Sequence, residues 1–327
     1  MNNDRAFKSG VMNHCYQRSE KGFVLFYTVS DCLVYFTIYC IAAMQYGIQV
    51  HSLCQMPDHV HDSVTANSAS TLAAFKKHVN SVFAKAQNPL CNYKGKLFEK
   101  PFGSAPKYTD KAQRSNIVYI ANNPVERHLC PVAEDYRWNY VAYSSSPNPF
   151  SHKIVIRECR WCLRNAIKEV KECYNARRPM NYAQLKRLFA PLKEAEKQQL
   201  TDFIITTYNV IDYDSVIKRF GSYQNMLTAF HSTTGSEHDL HETFAGTSDF
   251  DYNKMSSILM KHTHASDIHD ILGYDHDTKM DLYFLLRGSC SHATSLQIAK
   301  YLRMEREIQQ FDSQRFKHLS GKPGAAR

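Results

Sequence analysis

The stretch IQVHSLCQMPDHVHDSV, residues 48–64, contains the hairpin on which the predicted fold is built. Its first half, residues 48–55, is β-branched and roughly alternating, which is typical of a strand. Met56-Pro57-Asp58 then predicts a tight turn, because Pro fixes φ and Asp favours turns. From His59 to about residue 66 the chain continues as a second strand, antiparallel to the first. The stretch therefore predicts a β-hairpin with two histidines on its second strand.

Strand-like and helical segments alternate on both sides of this hairpin. VMNHCYQR (11–18) is strand-like, and Ser30-Asp31 is expected to cap a helix that ends at Gly47. After the hairpin we expect a helix that Ser70 and Thr71 open, the extended segment KLFEKPFGSAP, and a third helix over about 109–122. The order β-α-β-β-α-β-α predicts an α+β fold, with helices on the antiparallel sheet of a ferredoxin-like split βαβ core.

A polar, proline-bearing stretch at 143–149 predicts a domain boundary near residue 150. The first domain is then 1–150 and the second 151–327, in which almost every run looks helical. Residues 279–304 place two helices around a Gly-Ser-Cys-Ser break, which favours either a helix-turn-helix or two simply packed helices. The tail GKPGAAR is expected to be disordered.

Charge and cysteine content bound the class of protein. Lys and Arg number 40 against 31 Asp and Glu, a net charge of +9, which suggests a polyanionic partner without identifying it. Ten cysteines without framework spacing, after a start that lacks an apolar signal core, predict thiols and a cytoplasmic protein. The most hydrophobic window, residues 32–48, is shorter than a membrane span usually needs, so we expect a buried helix and no membrane partner.

The two histidines of the hairpin are a candidate metal site. Residues two apart in a strand point to the same face, so His59 and His61 project together while Val60 packs the other way. One divalent metal could contact both rings. The alternative is that they are two partly exposed surface histidines.

A second candidate lies in IVYIANNPV, residues 117–125. Tyr119 and Asn123 are four apart and share one face of a helix, so an amide oxygen could join the histidines as a third, harder ligand for Mg²⁺ or Mn²⁺. Pro124 disfavours the α conformation at Asn123 and is expected to end the helix there. The alternative is a tyrosine that packs at a helix end.

Together, the motifs MPDHVH, YIANNPV and DYRW (135–138) resemble the single-tyrosine HUH transposases, in particular the branch associated with repetitive extragenic palindromes. That family has Met-Pro-Asn-His-hydrophobic-His, then Tyr-Ile-x-x-Asn-Pro-Val, then Asp-Tyr-x-Trp, in the same order. KGKLFEKPF (94–102) is similar to the Gly-x-Leu-Phe segment before the tyrosine helix. The resemblance covers roughly residues 10–146. Two departures are Asp58, where the family usually has Asn, and Asp62, where it usually has an apolar residue.

The resemblance implies a nuclease that acts on single-stranded DNA with hairpin or palindromic structure. His59, His61 and Asn123 would hold Mg²⁺ or Mn²⁺, and Tyr119 would be the nucleophile that forms a 5′-phosphotyrosine. It implies a cytoplasmic, nucleoid-associated protein, either a monomer or a homodimer. The alternatives are an inactive DNA-binding or regulatory protein of the same fold, and a replication initiator or relaxase. Initiators more often carry a Lys four residues after the Tyr, where this chain has Asn123.

The positive charge concentrates between residues 76 and 114, where nine Lys or Arg face only two acidic residues. This segment fits a groove for the DNA backbone, with Tyr93, Phe98, Phe102 and Tyr108 as rings on which bases could stack. An ordinary solvated face with core aromatics is the alternative. The expected phosphate contacts are Lys76, Lys77, Lys94, Lys96, Lys100, Lys107, Lys111 and Arg114.

Two further groups are weaker candidates. Cys159-x-x-Cys162 has no second pair at zinc-site spacing, so it predicts helix thiols. His238 and His241 could clamp a metal on a helix, but scattered surface histidines are favoured.

Overall fold

A four-stranded antiparallel sheet lies at the centre of the first half of the chain in this computed structural model, which describes residues 6–99, 101–232 and 251–310. The strand order is β2-β3-β1-β4, so β3, the second strand of the hairpin, is paired on both sides. The strands are β1 (Met12–Arg18), β2 (Gln49–Met56), β3 (His59–Thr65) and β4 (Gly103–Lys107). The predicted α+β class and antiparallel sheet are confirmed.

Three helices alternate with these strands in the predicted order. They are α1 (Val29–Tyr46), α2 (Ala69–Gln87) and α3 (Asp110–Glu126). Helix α1 begins one residue earlier than Ser30, because Thr28 and Asp31 form a reciprocal capping box. It ends at Gly47, whose φ of 63° lies in the left-handed region that glycine adopts without strain.

Helix α3 is longer than the sequence predicts. It continues through Pro124 to Glu126, so the expectation that it ends at Asn123 is wrong. Proline removes only one N–H donor, and the last turn retains bonds from the Arg127 N–H to the Asn123 carbonyl and from the Leu129 N–H to the Pro124 carbonyl. Packing of the buried turn outweighs the local preference of the residue before a proline. As a result, Asn123 stays on the helical face it shares with Tyr119.

The two faces of the sheet carry different chemistry. On β3, Val60 and Val64 join the core that α1 and α2 form. His59 and His61 lie on the opposite face, where α3 packs, as ring contacts between His61 and Tyr119 show. The register fixes this division, since His61 is opposite Tyr16 on β1 and opposite Cys54 on β2.

Helix α1 is the centre of the larger core. By length and mean hydropathy alone it could cross a membrane, a weak indication that a buried core helix also gives. Here 12 of its 18 residues are buried, with side chains of α2 on one side and of the later helices on another. The expected buried helix is therefore present.

Beyond residue 150 the described residues form helices and no named strand. These are α4 (Trp161–Asn175), α5 (Tyr182–Phe189), α6 (Glu194–Tyr208), α7 (Tyr213–Phe220), α8 (Tyr223–Ser232), α9 (Asp251–Thr263), α10 (Ile268–Leu272), α11 (His276–Ser289) and α12 (Ser295–Tyr301). Apolar residues of α4–α6 share one core with α1, and those of α9–α12 surround Phe23 and Val24. The boundary near residue 150 stays a prediction, and the predicted tail lies outside the described residues.

Helices α11 and α12 occupy the place of the suggested helix-turn-helix. Every residue of α12 is buried or half-buried, including Gln297, Ile298 and Tyr301. A recognition helix must expose one face to a DNA groove. The arrangement shown here matches the alternative of two packed helices, and the helix-turn-helix stays a prediction.

One carboxylate, that of Asp31, joins the two halves of the chain. It accepts hydrogen bonds from the Tyr182 hydroxyl of α5 at 2.7 Å and from Gln87 of α2 at 3.1 Å, and it lies 3.0 Å from Nε2 of His269 on α10. Burial alone would lower the pKa of His269, but the charge of Asp31 raises it to about 11. The imidazolium and the carboxylate therefore form a buried ion pair at neutral pH.

A second buried ion pair lies behind the histidine strand. Asp62 is fully buried, accepts a hydrogen bond from the Tyr39 hydroxyl at 2.6 Å and pairs with the ammonium of Lys76. Lys76 is itself only 3% exposed and lies near the rings of Phe75 and Phe102. Asp62 therefore faces the α1 and α2 layer, away from His59 and His61, and adds no negative charge to their face of the sheet.

We predict that Lys76→Met destabilises the protein by about 3–5 kcal/mol, because it leaves the carboxylate of Asp62 buried without a counter-charge. Chemical denaturation measures this loss. Lys77→Met is the matched control, since Lys77 is exposed on the same helix, and it should change stability by no more than about 0.5 kcal/mol. Equal stability of the two variants would contradict the ion pair's role.

Candidate functional site

The two histidines of β3 lie side by side in the interior. His59 is 4% exposed and His61 is fully buried, and their ring centroids are 4.8 Å apart in an edge-to-face arrangement. Two partly exposed surface histidines, the alternative drawn from the sequence, do not describe this geometry. Burying polar rings is costly unless contacts satisfy them, so their surroundings determine what they can do.

Each imidazole is held through its Nδ1 atom. Nδ1 of His59 lies 2.5 Å from Oδ1 of Asp58, and Nδ1 of His61 lies 3.0 Å from Nε2 of His14 on β1. A partner on one ring nitrogen fixes the ring's orientation and tautomer. In both rings, Nε2 is therefore the nitrogen that would contact a metal.

The charges around these rings favour a neutral His61 and an ionised Asp58. Burial lowers the pKa of His61 well below its usual value, and His59, His14 and two arginines act in the same direction. Burial would raise the pKa of Asp58, but the charge of His59 and its hydrogen bond, with Arg127, lower it to about 2. A neutral imidazole is the form that binds metals. Asp58 is thus a hydrogen-bond acceptor for His59.

Tyr119 lies over the histidines. Its ring centroid is 5.4 Å from that of His61 and 5.6 Å from that of His14, both edge-on, and only 3% of the residue is exposed. The ring packs in a small apolar cluster with Cys54, Met56 and Ile120. The structure therefore brings together the tyrosine and the histidines that the sequence singles out.

Asn123 lies one helical turn after Tyr119, on the same face of α3. It is fully buried, and neither its amide oxygen nor its amide nitrogen makes a hydrogen bond with the residues that the structure describes. Leaving a buried amide unsatisfied costs about 1–3 kcal/mol. A ligand for this amide, such as a metal ion or a phosphate, would recover that free energy.

A divalent metal bound to this donor set would need further ligands from water or from the substrate. In the described part of the chain, no three His, Cys, Asp or Glu side chains are grouped to hold a metal ion. The candidate ligands are two imidazoles and one amide oxygen, His59, His61 and Asn123. Mg²⁺ and Mn²⁺ accept oxygen ligands and commonly keep several waters or substrate oxygens, so such an incomplete set suits them.

The predicted phosphate contacts do not form one groove. Lys76 is buried against Asp62, so its predicted contact with DNA is wrong, and Lys107 is also largely buried. Lys100 lies outside the described residues. The remaining predicted contacts are Lys77 on α2, Lys94 and Lys96 in the loop before β4, and Lys111 and Arg114 on α3. Since α2 and α3 lie on opposite faces of the sheet, Lys77 is separated from the histidine face.

The aromatic residues of the same segment also divide. Phe98 and Phe102 are buried in the main core, which favours the alternative that these two rings are core aromatics. Tyr93 donates a hydrogen bond to Glu305 at 3.1 Å. Tyr108, at 67% exposed, is the ring of this group that remains accessible for stacking on a base.

Three residues near the site were not predicted from the sequence. His14 contacts His61, and both Arg18 and Arg127 lie close enough to lower the pKa of His61. Arg18 is directly opposite His59 in the strand register. The strand periodicity of MNHCYQR places His14 and Arg18 on one face, a signal that could have found them once the neighbouring strand was known.

The weaker candidates gain no support. Cys159 and Cys162 are free thiols; Cys162 lies on α4 as expected, whereas Cys159 precedes the helix. His238 and His241 lie outside the described residues.

We predict that His59→Ala and His61→Ala abolish the binding of Mn²⁺ while the domain stays folded, because each variant removes one of two imidazole ligands. Titration calorimetry with Mn²⁺ measures the binding, and circular dichroism measures the fold. His78→Ala on α2, behind the opposite face of the sheet, is the control and should bind Mn²⁺ as the unmodified protein does. Unchanged binding in the double variant His59→Ala, His61→Ala would refute the metal site.

Comparisons with known proteins give a remote structural similarity. No protein-family model matches the sequence, and no curated protein matches it. Among solved structures, the chain is similar to that of a REP-associated tyrosine transposase bound to a REP hairpin. The two share 15% sequence identity over 47% of this chain and 93% of that one, with a TM-score of 0.38.

Proposed function

We propose that this chain is a metal-dependent single-strand DNA endonuclease and strand transferase of the HUH transposase type, built on a ferredoxin-like core. The observation that carries the proposal is the position of Tyr119, whose ring lies over His61 on the face where both histidines of β3 project. The strand order β2-β3-β1-β4 supports the ferredoxin-like assignment. The transposase-like motifs in the sequence supply the reaction class.

The proposed reaction transfers the phosphoryl group of a DNA phosphodiester to the tyrosine. The phenolic oxygen of Tyr119 loses its proton and attacks a backbone phosphorus, which forms the Tyr–O–P bond. The bond from phosphorus to the 3′ oxygen breaks, and that oxygen leaves with a proton as a 3′-OH. The 5′-phosphotyrosine keeps the energy of the phosphodiester, so a second 3′-OH can attack it and rejoin the strand.

His59, His61 and Asn123 would hold the metal, whose chemistry when bound is to neutralise the non-bridging phosphate oxygens. Asp58 keeps the ring of His59 in orientation through its Nδ1 atom. The phenol of a free tyrosine has a pKa of about 10, so Tyr119 must lose its proton as the bond forms. The positive charges of Arg18 and Arg127 near His61 favour a phosphate at this place.

The proposed DNA path runs over the histidine face of the sheet. Lys111 and Arg114 are on α3, the helix of Tyr119, and Lys94 and Lys96 are exposed before β4. Exposed Tyr108 offers a ring for an unpaired base. The preference for hairpin or palindromic DNA, the cytoplasmic and nucleoid-associated location, and a monomeric or homodimeric state are parts of the proposal that follow from the motif resemblance.

A second candidate function is that of an inactive DNA-binding protein of the same fold. The observation that favours it is the burial of Tyr119, since a nucleophile that is 3% exposed cannot reach a phosphate until its cover moves. The side chains of Leu129 and Tyr136 pack around its cluster and are part of that cover. The two functions differ in whether a covalent adduct forms.

We predict that Tyr119, and no other tyrosine of the chain, forms a covalent link with single-stranded DNA. Incubation with a labelled strand and Mn²⁺, followed by a denaturing gel and a peptide map, detects the link. Tyr119→Phe keeps the ring but lacks the nucleophilic oxygen, so it should abolish the adduct and leave Mn²⁺ affinity nearly intact.

Tyr136→Phe is the matched control, because Tyr136 packs on the same cluster as Tyr119. This variant should still form the adduct. An adduct that persists in Tyr119→Phe would show that another residue is the nucleophile and refute the role of Tyr119. The absence of an adduct in an unmodified protein that still binds the strand would favour the inactive DNA-binding function.

We also predict that replacing Lys94 and Lys96 with Gln weakens the binding of single-stranded DNA and its dependence on salt. The slope of log affinity against log salt should fall by up to about 0.7 for each lost phosphate contact. Lys77→Gln is the control, since Lys77 lies on the layer behind the sheet and should not change the slope. Equal slopes in all variants would mean that residues 94–96 are only solvated.

A further inference from the structure

His14 is a buried histidine that belongs to none of the transposase-like motifs. It lies on β1 and is 1% exposed. Its Nε2 atom is 3.0 Å from Nδ1 of His61, and its ring meets both His61 and Tyr119, with centroids 5.2 and 5.6 Å away. A buried imidazole is costly unless it is hydrogen-bonded, and the contact with His61 supplies such a bond.

The geometry argues against His14 as a direct metal ligand. Its Nε2 atom is engaged by His61, and His14, His59 and His61 do not form a three-residue metal group among the described residues. His14 is not directly opposite His61 either, since its partner in the register is Ser63 and the partner of His61 is Tyr16. The contact therefore joins two rings diagonally across adjacent strands.

We propose that His14 is a positioning residue that holds His61 in the one tautomer able to bind a divalent metal through Nε2. This inference rests on the proposed metal site. A neutral imidazole carries one proton, and a ring that offers Nε2 to a metal must carry that proton on Nδ1. In that tautomer, Nδ1–H of His61 donates a hydrogen bond to Nε2 of His14, which accepts it. His14 must then carry its own proton on Nδ1.

The second contact of His14 gives it a further positioning role. Because the ring of His14 also contacts that of Tyr119, His14 touches both the proposed ligand His61 and the proposed nucleophile. Its removal should therefore affect the position of His61 and, through it, the metal. Partners of this kind outside the ligand set typically account for about 10–100-fold in metal affinity.

Two variants of His14 separate the hydrogen bond from packing. His14→Leu keeps an apolar side chain in the core but removes the acceptor, and it should weaken Mn²⁺ binding about 10–100-fold in a calorimetric titration. His14→Gln can place its side-chain oxygen as an acceptor for Nδ1–H, and it should recover most of the affinity. The matched control is His51→Leu, since His51 is a buried strand histidine that contacts Thr65 at the other end of the sheet.

A second measurement reads the tautomer without any metal. Nitrogen-15 NMR of labelled histidines distinguishes a proton on Nδ1 from one on Nε2. We expect the proton of His61 on Nδ1 in the unmodified protein and in His14→Gln, and at least partly on Nε2 in His14→Leu. This readout in the unmodified protein decides the inference even if His14→Leu does not fold.

The outcomes distinguish this inference from the proposed function. If the unmodified protein binds Mn²⁺ and His14→Leu binds it equally well, His14 has no positioning role, although the metal site stands. A proton on Nε2 of His61 in the unmodified protein likewise overturns the inference. If the unmodified protein binds no Mn²⁺, the proposed metal site fails and the role of His14 fails with it.

Discussion

The pairing of β3 on both edges is the constraint on which the site depends. An edge strand can slip by one residue, and such a slip would move every side chain to the other face of the sheet. Here β3 lies between β1 and β2, and hydrogen bonds on both sides fix its register. The same constraint puts His59 and His61 under Tyr119 and sends Asp62 to Lys76 in the opposite layer. The core ion pair and the candidate catalytic face therefore both result from the alternation of side chains between the two faces of β3.

The position of the tyrosine depends on a different kind of support. Helix α3 crosses the histidine face, and its Ile117 and Val118 pack against apolar side chains of α7 and α8, namely Val216, Met226 and Phe230. The Asn122 side chain also donates a hydrogen bond to the Phe230 carbonyl at 2.8 Å. The later helices thus hold the helix that carries Tyr119 against the sheet. Their role in the site is mechanical, and it does not require that they touch the substrate.

Much of the first half could be predicted from local signals. The strands and helices around the hairpin have strong periodicity and caps, and the i,i+2 and i,i+4 spacings correctly placed His59 with His61 and Tyr119 with Asn123. Lys76 could not be placed in this way, because its burial depends on Asp62 across two layers, and the same charge pattern also describes an exposed lysine. Arg18 and His14 needed the register of β1 against β3. The continuation of α3 past Pro124 needed the packing of its last turn, which outweighs the local rule.

The contacts of the Asp31 carboxylate limit how the two halves of the chain can be separated. It caps α1 in the first half of the chain while it pairs with His269 and Tyr182 of the later helices. A gene shortened to encode the first 150 residues would remove both of these partners, together with the helices that cover the carboxylate. The face around Phe23 and Val24 would also lose its cover. Separating the two halves would therefore cost the first half polar partners and apolar cover together, so the histidine strand and the distant helices are physically coupled in this chain.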